Sequence, residues 1–193
     1  SISTEATAKD EELLLKNSDL VLATSHFLLD HVKKVNQNGV LVPNGAEYEF
    51  FHQAAQPMPV GDIKDLPHPI VGYYGAIADW FDSALLHDLA FLHPEWTFLL
   101  IGSTHLSDLK PLQGVKNIYL LGEKPYNEIP GYLSHFDVGI IPFKQTPLTH
   151  ATNPVKMYEY LSAGKPIVAT RLDEISHYDD YVRLAETRDE WEA

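Results

Sequence analysis

Between residues 153 and 170 the sequence NPVKMYEYLSAGKPIVAT writes a loop, a helix, a tight turn and a strand in immediate succession. Thr152 or Asn153 is suited to cap the helix, and Pro154 to its first turn, where a missing N–H costs nothing. Gly164 suits the left-handed residue past the last turn, and Pro166 stops any continuation. Ile167, Val168 and Ala169 then form an apolar run fit for a strand covered on both faces, which requires a sheet with layers packed on each side.

The same alternation runs through the chain from His68 onward. Strands are expected at 69–75, 96–101, 117–121 and 138–143, then at 167–169 and 181–185. Helices are expected at 83–92, where Leu85, Leu86, Leu89 and Leu92 recur at helical spacing behind the cap residue Asp82, and in short form at 105–112 and 127–135. Strands alternating with helices at this spacing predict an α/β fold with a doubly wound, parallel, Rossmann-like sheet. In such a sheet ligands bind outside the carboxyl ends of the strands. Gly75, Gly102, Gly122, Phe143 and the start of the Asn153 helix all fall on that edge.

The chemistry of the edge follows from the helix start. Free N–H groups and the positive end of the helix dipole seat a phosphate, and Lys156 adds a full charge beside them. Glu159 lies five residues past Pro154, ~7 Å along the axis, roughly the reach from a diphosphate to its ribose. A carboxylate is an acceptor-only group, so a sugar diol is a natural partner. The competing reading is a capped surface helix with a solvated Glu159.

Composition narrows the function. A formal charge of −13 excludes nucleic acid and anionic membrane surfaces as partners but leaves room for a small anion held by local groups. No apolar run approaches the ~18 residues of a membrane span, and the absence of cysteine removes disulfide and thiolate chemistry. Ten histidines invite a metal reading, yet none forms a His-x-x-x-His pair, His26 and His31 fall five apart, and no Asp-x-Asp pair occurs. No metal and no cofactor is expected.

The first sixty residues are organised differently. Helices are expected at 9–16 and 25–35 and short strands at 19–23 and 39–42, too little to bury a core of their own. Residues 1–43 therefore read as a remnant of a preceding domain, 44–68 as a linker marked by Asn44-Gly45 and by Pro57, Pro59 and Pro67, and 69–193 as the ligand-binding domain, cut short at its carboxyl end. Leu20, Leu22, Phe27 and Leu28 suffice for an exposed apolar patch, so pairing of two copies through residues 1–43 is expected.

In order along the chain, DLVLATS (19–25), VPNG (42–45), VGYYG (71–75), LG (121–122), IPGYL (129–133), DVGIIP (137–142) and residues 153–170 resemble the carboxyl-terminal half of GT-B glycosyltransferases, in the group that includes many bacterial group 1 sugar transferases. The resemblance implies a donor-binding domain facing a separate acceptor domain, with most catalytic groups outside this chain. It implies that Glu159 holds the ribose, that Asn153, Pro154, Val155 and Lys156 hold the donor diphosphate together with Gly75 and Lys144, and that Gly122, Glu123, Lys124 and Tyr126 lie against the base. The partners implied are a nucleotide sugar carrying a hexose or a related sugar, and a cell-surface glycan or lipid-linked acceptor. The place implied is the cytoplasm, with contact to the inner membrane through the acceptor domain.

The sequence departs from that family in two places. Ala151 stands where the first residue of a Glu-x7-Glu motif ending at Glu159 would be, which leaves His150 and Thr152 as the candidates for the donor sugar. The glycine loop 75–82 carries no basic residue, so Lys144 and Lys156 are the remaining cations for the diphosphate. Trp80 and Tyr126 are open to either packing or stacking. Two other functions share the scaffold, a nucleotide-sugar 2-epimerase and a non-catalytic nucleotide-binding module.

Overall fold

A computed structural model describes residues 4–104 and 108–192. Six strands form one parallel sheet: β3 (Ile70–Tyr74), β4 (Thr97–Ile101), β5 (Ile118–Leu120), β6 (Val138–Ile141), β7 (Ile167–Thr170) and β8 (Arg183–Ala185), in the order β5-β4-β3-β6-β7-β8. Counted from β3, the order is that of the doubly wound dinucleotide-binding fold, and it reverses between β3 and β6. The six strands expected from the apolar runs are all present.

Burial explains the order. Every residue of β3 and β4 is buried, so these strands must lie central, with layers on both faces. The helices α4 (Ser83–Leu92), α5 (Ile129–Ser134) and α7 (Val155–Ser162) supply those layers. Asp82 caps α4 as expected, its carboxylate accepting from the Leu85 N–H at 2.9 Å. The core gathers Leu86 and Leu89 from α4, Leu133 from α5 and Met157 and Tyr160 from α7 against the sheet. Each such fully buried large side chain contributes ~1.5–3 kcal/mol.

Ahead of the large sheet stand α1 (Thr4–Asn17), β1 (Val21–Ala23), α2 (His26–Lys33) and β2 (Gly39–Leu41). β1 and β2 pair in parallel as a separate two-stranded sheet, with Leu22 beside Val40. Residues 44–68 do not behave as a free linker. They contain the helix α3 (Tyr48–His52) and a 3-10 turn, and Phe51, Ala54 and Ile63 are buried in the main core. Pro57, Pro59 and Pro67 lie in irregular stretches on either side of a turn at residues 61–65, in a packed segment whose apolar residues are too widely spaced to show a period. Of the helix expected at 105–112, a 3-10 turn Lys110–Leu112 is present, while residues 105–107 lie outside the described residues. A short helix α6 (Pro147–His150), opened by a Thr146–Thr149 capping box, and the final α8 (Arg188–Glu192) complete the fold.

Candidate functional site

The carboxyl ends of β3 and β6 open onto a cavity of about 510 Å³. Tyr74, Gly75 and Ala76 line it from β3, Phe143 from just past β6, Thr152 through Lys156 and Glu159 from α7 and the loop before it, and Asn44 from the segment after β2. A second cavity of about 320 Å³ shares Tyr74, Gly75 and Ala76 with the first and is lined beyond them by Gly102, Ser103, Glu123, Lys124 and Tyr126. Two chambers therefore meet at the end of β3, at the switch point where a doubly wound sheet takes its ligand.

The helix start differs from expectation in a way that exposes its amides. α7 begins at Val155, so Pro154 occupies the cap position and no side chain among the described residues caps the helix. Thr152 donates its hydroxyl to the Leu148 carbonyl at 2.8 Å instead. The side-chain oxygen of Asn153 is buried with no partner among the described residues. An uncapped start leaves N–H groups and the positive dipole end free for an anion. Lys156 runs beneath Gly75, its ammonium 5.2 Å from the Tyr73 ring centroid and 4.9 Å from that of Phe143. Burial among these rings lowers its pKa to about 8, with the charge of Glu159 pulling the other way.

Gly75 is required for that path. It has φ +123°, and a Cβ there would stand 3.1 Å from Lys156 Cε. Gly102, at φ +147°, lets the Gly75 carbonyl approach where a Cβ would stand 2.0 Å from its oxygen. Backbone bonds tie the strand ends together, Gly75 N–H to the Ile101 carbonyl at 2.9 Å and Gly102 N–H to the Gly122 carbonyl at 2.8 Å.

Glu159 is 7% exposed, and the Tyr74 hydroxyl donates to its Oε2 at 2.7 Å. Burial raises the carboxyl's pKa, while the Tyr74 bond and the charge of Lys156 lower it. Tyr74 is itself pushed well above the usual tyrosine range, first by burial and then by Tyr160 and Glu159. The phenol thus stays protonated, donates, and fixes the plane of the carboxylate. The charge of Glu159 also reaches Tyr126, whose pKa is raised first by burial and then by that carboxylate.

The expected site residues divide into two groups. Asn153, Pro154, Val155, Lys156, Gly75, Glu159 and Thr152 line the first cavity, and Glu123, Lys124 and Tyr126 the second, with Gly122 bonded to its rim. Lys144 stands apart from both cavities. Its ammonium donates to the Asp79 carbonyl at 2.9 Å and lines a separate 50 Å³ cavity, because the backbone after β6 bonds back to Trp80 and turns the side chain outward. His150 closes α6 and faces Asp173, with 2.9 Å between its Nδ1 and a carboxylate oxygen, and is absent from the cavity wall. Lys124 is ion-paired with Asp62 at 2.7 Å, and Tyr126 stacks on Phe50 with centroids 5.2 Å apart. Sequence reasoning missed Tyr74 and Asn44. Asn44 donates to the Asn153 carbonyl at 2.7 Å and so sets the loop before α7. A tyrosine at the carboxyl end of a central strand was the available signal for the first, and an amide in the VPNG turn for the second.

Comparison with known proteins gives one family by sequence and one shared fold among solved structures. The sequence model of the family described as "Glycosyl transferases group 1" matches residues 68–191. A putative teichuronic acid biosynthesis glycosyltransferase, TuaH of Bacillus subtilis (strain 168), is 31% identical over 176 residues, which is 87% of this chain and 44% of that protein. Among solved structures, Anabaena Alr3699/HepE in complex with UDP and glucose superposes with a TM-score of 0.67 at 17% identity, over 90% of this chain and 50% of the other. The α,α-trehalose 6-phosphate synthase of Burkholderia multivorans superposes with a TM-score of 0.72 at 12% identity, over 97% and 54%. The chain thus spans about half the length of the relatives it matches.

Proposed function

The chain belongs to the group 1 glycosyl transferases, and from that premise we propose that it is the donor-binding part of an enzyme that moves a hexose or related sugar from a nucleoside diphosphate to a cell-surface glycan or lipid-linked acceptor. One observation carries the reading: an uncapped helix start with Lys156, and a tyrosine-held Glu159, line one cavity that adjoins a second at the switch point. In this reading the diphosphate lies at the α7 start against Lys156, the ribose at Glu159, and the base in the second cavity beside Tyr126. Thr152, on the wall of the first cavity, is the proposed contact for the donor sugar.

The departing diphosphate gains negative charge in the transition state, and fixed amides and an ammonium aimed at it lower the barrier without reorganisation. Glu159 is the one carboxylate among the residues lining the first cavity and is already bonded to Tyr74, so the proposed counter-charge is Lys156 and not a metal held by paired acids. The acceptor and its catalytic groups would belong to a further domain, acting in the cytoplasm or at the inner membrane. Residues 1–43 would be part of that domain and, in the isolated chain, a surface on which two copies pair.

Calorimetry with UDP, the nucleotide named with the Anabaena structure, tests the reading. Glu159→Ala should cost ~1.5–3 kcal/mol, roughly 10- to 150-fold in affinity, with an unchanged circular dichroism spectrum. Lys156→Ala should weaken UDP strongly and uridine little. If Glu159→Ala leaves UDP affinity unchanged, the ribose assignment is lost.

A further inference from the structure

Away from both cavities, His26, Glu174 and His177 converge, each offering a donor atom within 4.8 Å of the others. Glu174 and His177 are three apart at the 3-10 turn Ile175–Tyr178, and with three residues per turn that spacing places both on one face. His26 opens α2, 148 residues earlier in the chain. We propose that these three residues form a binding site for a divalent transition-metal ion, with zinc the best match, which would pin the start of α2 to the turn between β7 and β8.

The carboxylate gives the first reason. Glu174 is 2% exposed, and no lysine or arginine pairs with it among the described residues. Its partners are the His26 backbone N–H at 2.5 Å and the His26 ring, whose Nδ1 lies 3.2 and 3.3 Å from the two carboxylate oxygens. A buried carboxylate is stable only when a cation or several hydrogen bonds compensate it. One amide and the end of an eight-residue helix are a thin compensation, and an ion between the carboxylate and the imidazoles would complete it.

Ligand chemistry gives the second. Two imidazoles and one carboxylate form a set that zinc accepts in tetrahedral sites, with the fourth position left for water. Magnesium and calcium prefer oxygen ligands alone, which this cluster does not offer. Metal–ligand distances of about 2.0–2.2 Å put neighbouring donors about 3.4 Å apart. The present spread of up to 4.8 Å closes by rotation of the two exposed imidazoles, while the backbone bond holds Glu174 in place. The rings of His26 and His177 are tilted at 47° with centroids 4.5 Å apart, so no stacking opposes that rotation. A bound ion would cross-link the small sheet's helix to the large sheet.

The test uses the whole chain after dialysis against a chelator. Titration with ZnCl2 by calorimetry should show a site for one ion per chain, MgCl2 should show none, and CoCl2 should give the visible absorption bands of a tetrahedral nitrogen–oxygen site. His26→Ala and His177→Ala each should weaken zinc by more than the ~10–100-fold that outer-shell changes cost. Both keep the His26 backbone bond to Glu174 and so leave the fold intact. His87→Ala, on the exposed face of α4, is the control that should change nothing. Weak binding elsewhere on a chain with ten histidines would leave the result readable, because loss of one site in the double variant supports the assignment. No zinc uptake, or uptake identical in the His26/His177 double variant, would overturn it.

Discussion

Lys156 and Glu159 stand three residues apart on α7 and hold opposite charges under strain from the same source, burial. For Lys156 the folded value of about 8 lies below the ~10.4 of an unfolded lysine. The unfolded chain therefore holds more proton between those values, and the group costs stability at low pH, a cost that fades as pH rises towards the unfolded value. Ligand binding has the opposite sign. A diphosphate stabilises the ammonium, so binding takes up a proton above pH 8 and affinity falls as pH rises. UDP titrations from pH ~7.5 to ~9.5 should show affinity dropping by up to ~tenfold per unit above about 8, and Lys156→Met should flatten the profile. A flat profile in the unaltered chain would mean that another group carries the diphosphate. Tyr74 belongs to the same unit, because its hydroxyl keeps one carboxylate oxygen of Glu159 engaged and leaves the other to accept from a ligand.

At the scale of elements, the site is made by strand ends that approach more closely than side chains permit. The end of β4 passes under the end of β3 only because Gly102 lacks a Cβ, and the β3 turn in turn leaves the space that Lys156 crosses. Gly102→Ala would force a methyl against the Gly75 carbonyl in a left-handed backbone, where neither atom is the flexible end of a side chain. The expected cost is ~1–3 kcal/mol, read as a lower denaturant midpoint. UDP affinity should fall with it, since the displaced Gly75 lines both cavities. An unchanged midpoint and affinity would show that the loop relaxes freely and that the close approach is incidental. The elements themselves were largely legible in the sequence, because fully buried strands such as β3 and β4 are written as unbroken apolar runs. The start of α7 was less so. Thr152 and Asn153 were the expected caps, but Thr152 bonds to the Leu148 carbonyl and Asn153 is held through its carbonyl by Asn44, so the helix begins one residue later than expected, at Val155.

At the scale of the whole molecule, legibility followed sequence distance. The helix start with Lys156 and Glu159 could be read because one short stretch contains it, whereas Asn44 with Asn153, Tyr74 with Glu159, and His26 with Glu174 are contacts across 109, 85 and 148 residues that no local period records. Lys144 and His150 lie off the wall of the first cavity for the same reason, since nearness in sequence did not decide which way their side chains turned. The 44–68 segment hid its packing because its buried residues follow no period. What sequence did expose is the apolar face of the small sheet. Leu20, Leu22, Phe27 and Leu28, the patch expected from the sequence, are all exposed, Leu22 at 61%; Leu22 lies beside the exposed Val40 of the partner strand, and a parallel pair of three-residue strands is marginal without cover. Contiguous apolar surface of this kind drives association in water at ~25 cal/mol per Å² covered. The 193-residue chain is therefore expected to self-associate with rising concentration, and Leu22→Lys with Val40→Lys should return it to a monomer without loss of UDP binding, because neither residue lines either of the two cavities. Light scattering showing the same mass for the parent chain and the double variant across a hundredfold range of concentration would mean that this face is not where copies meet.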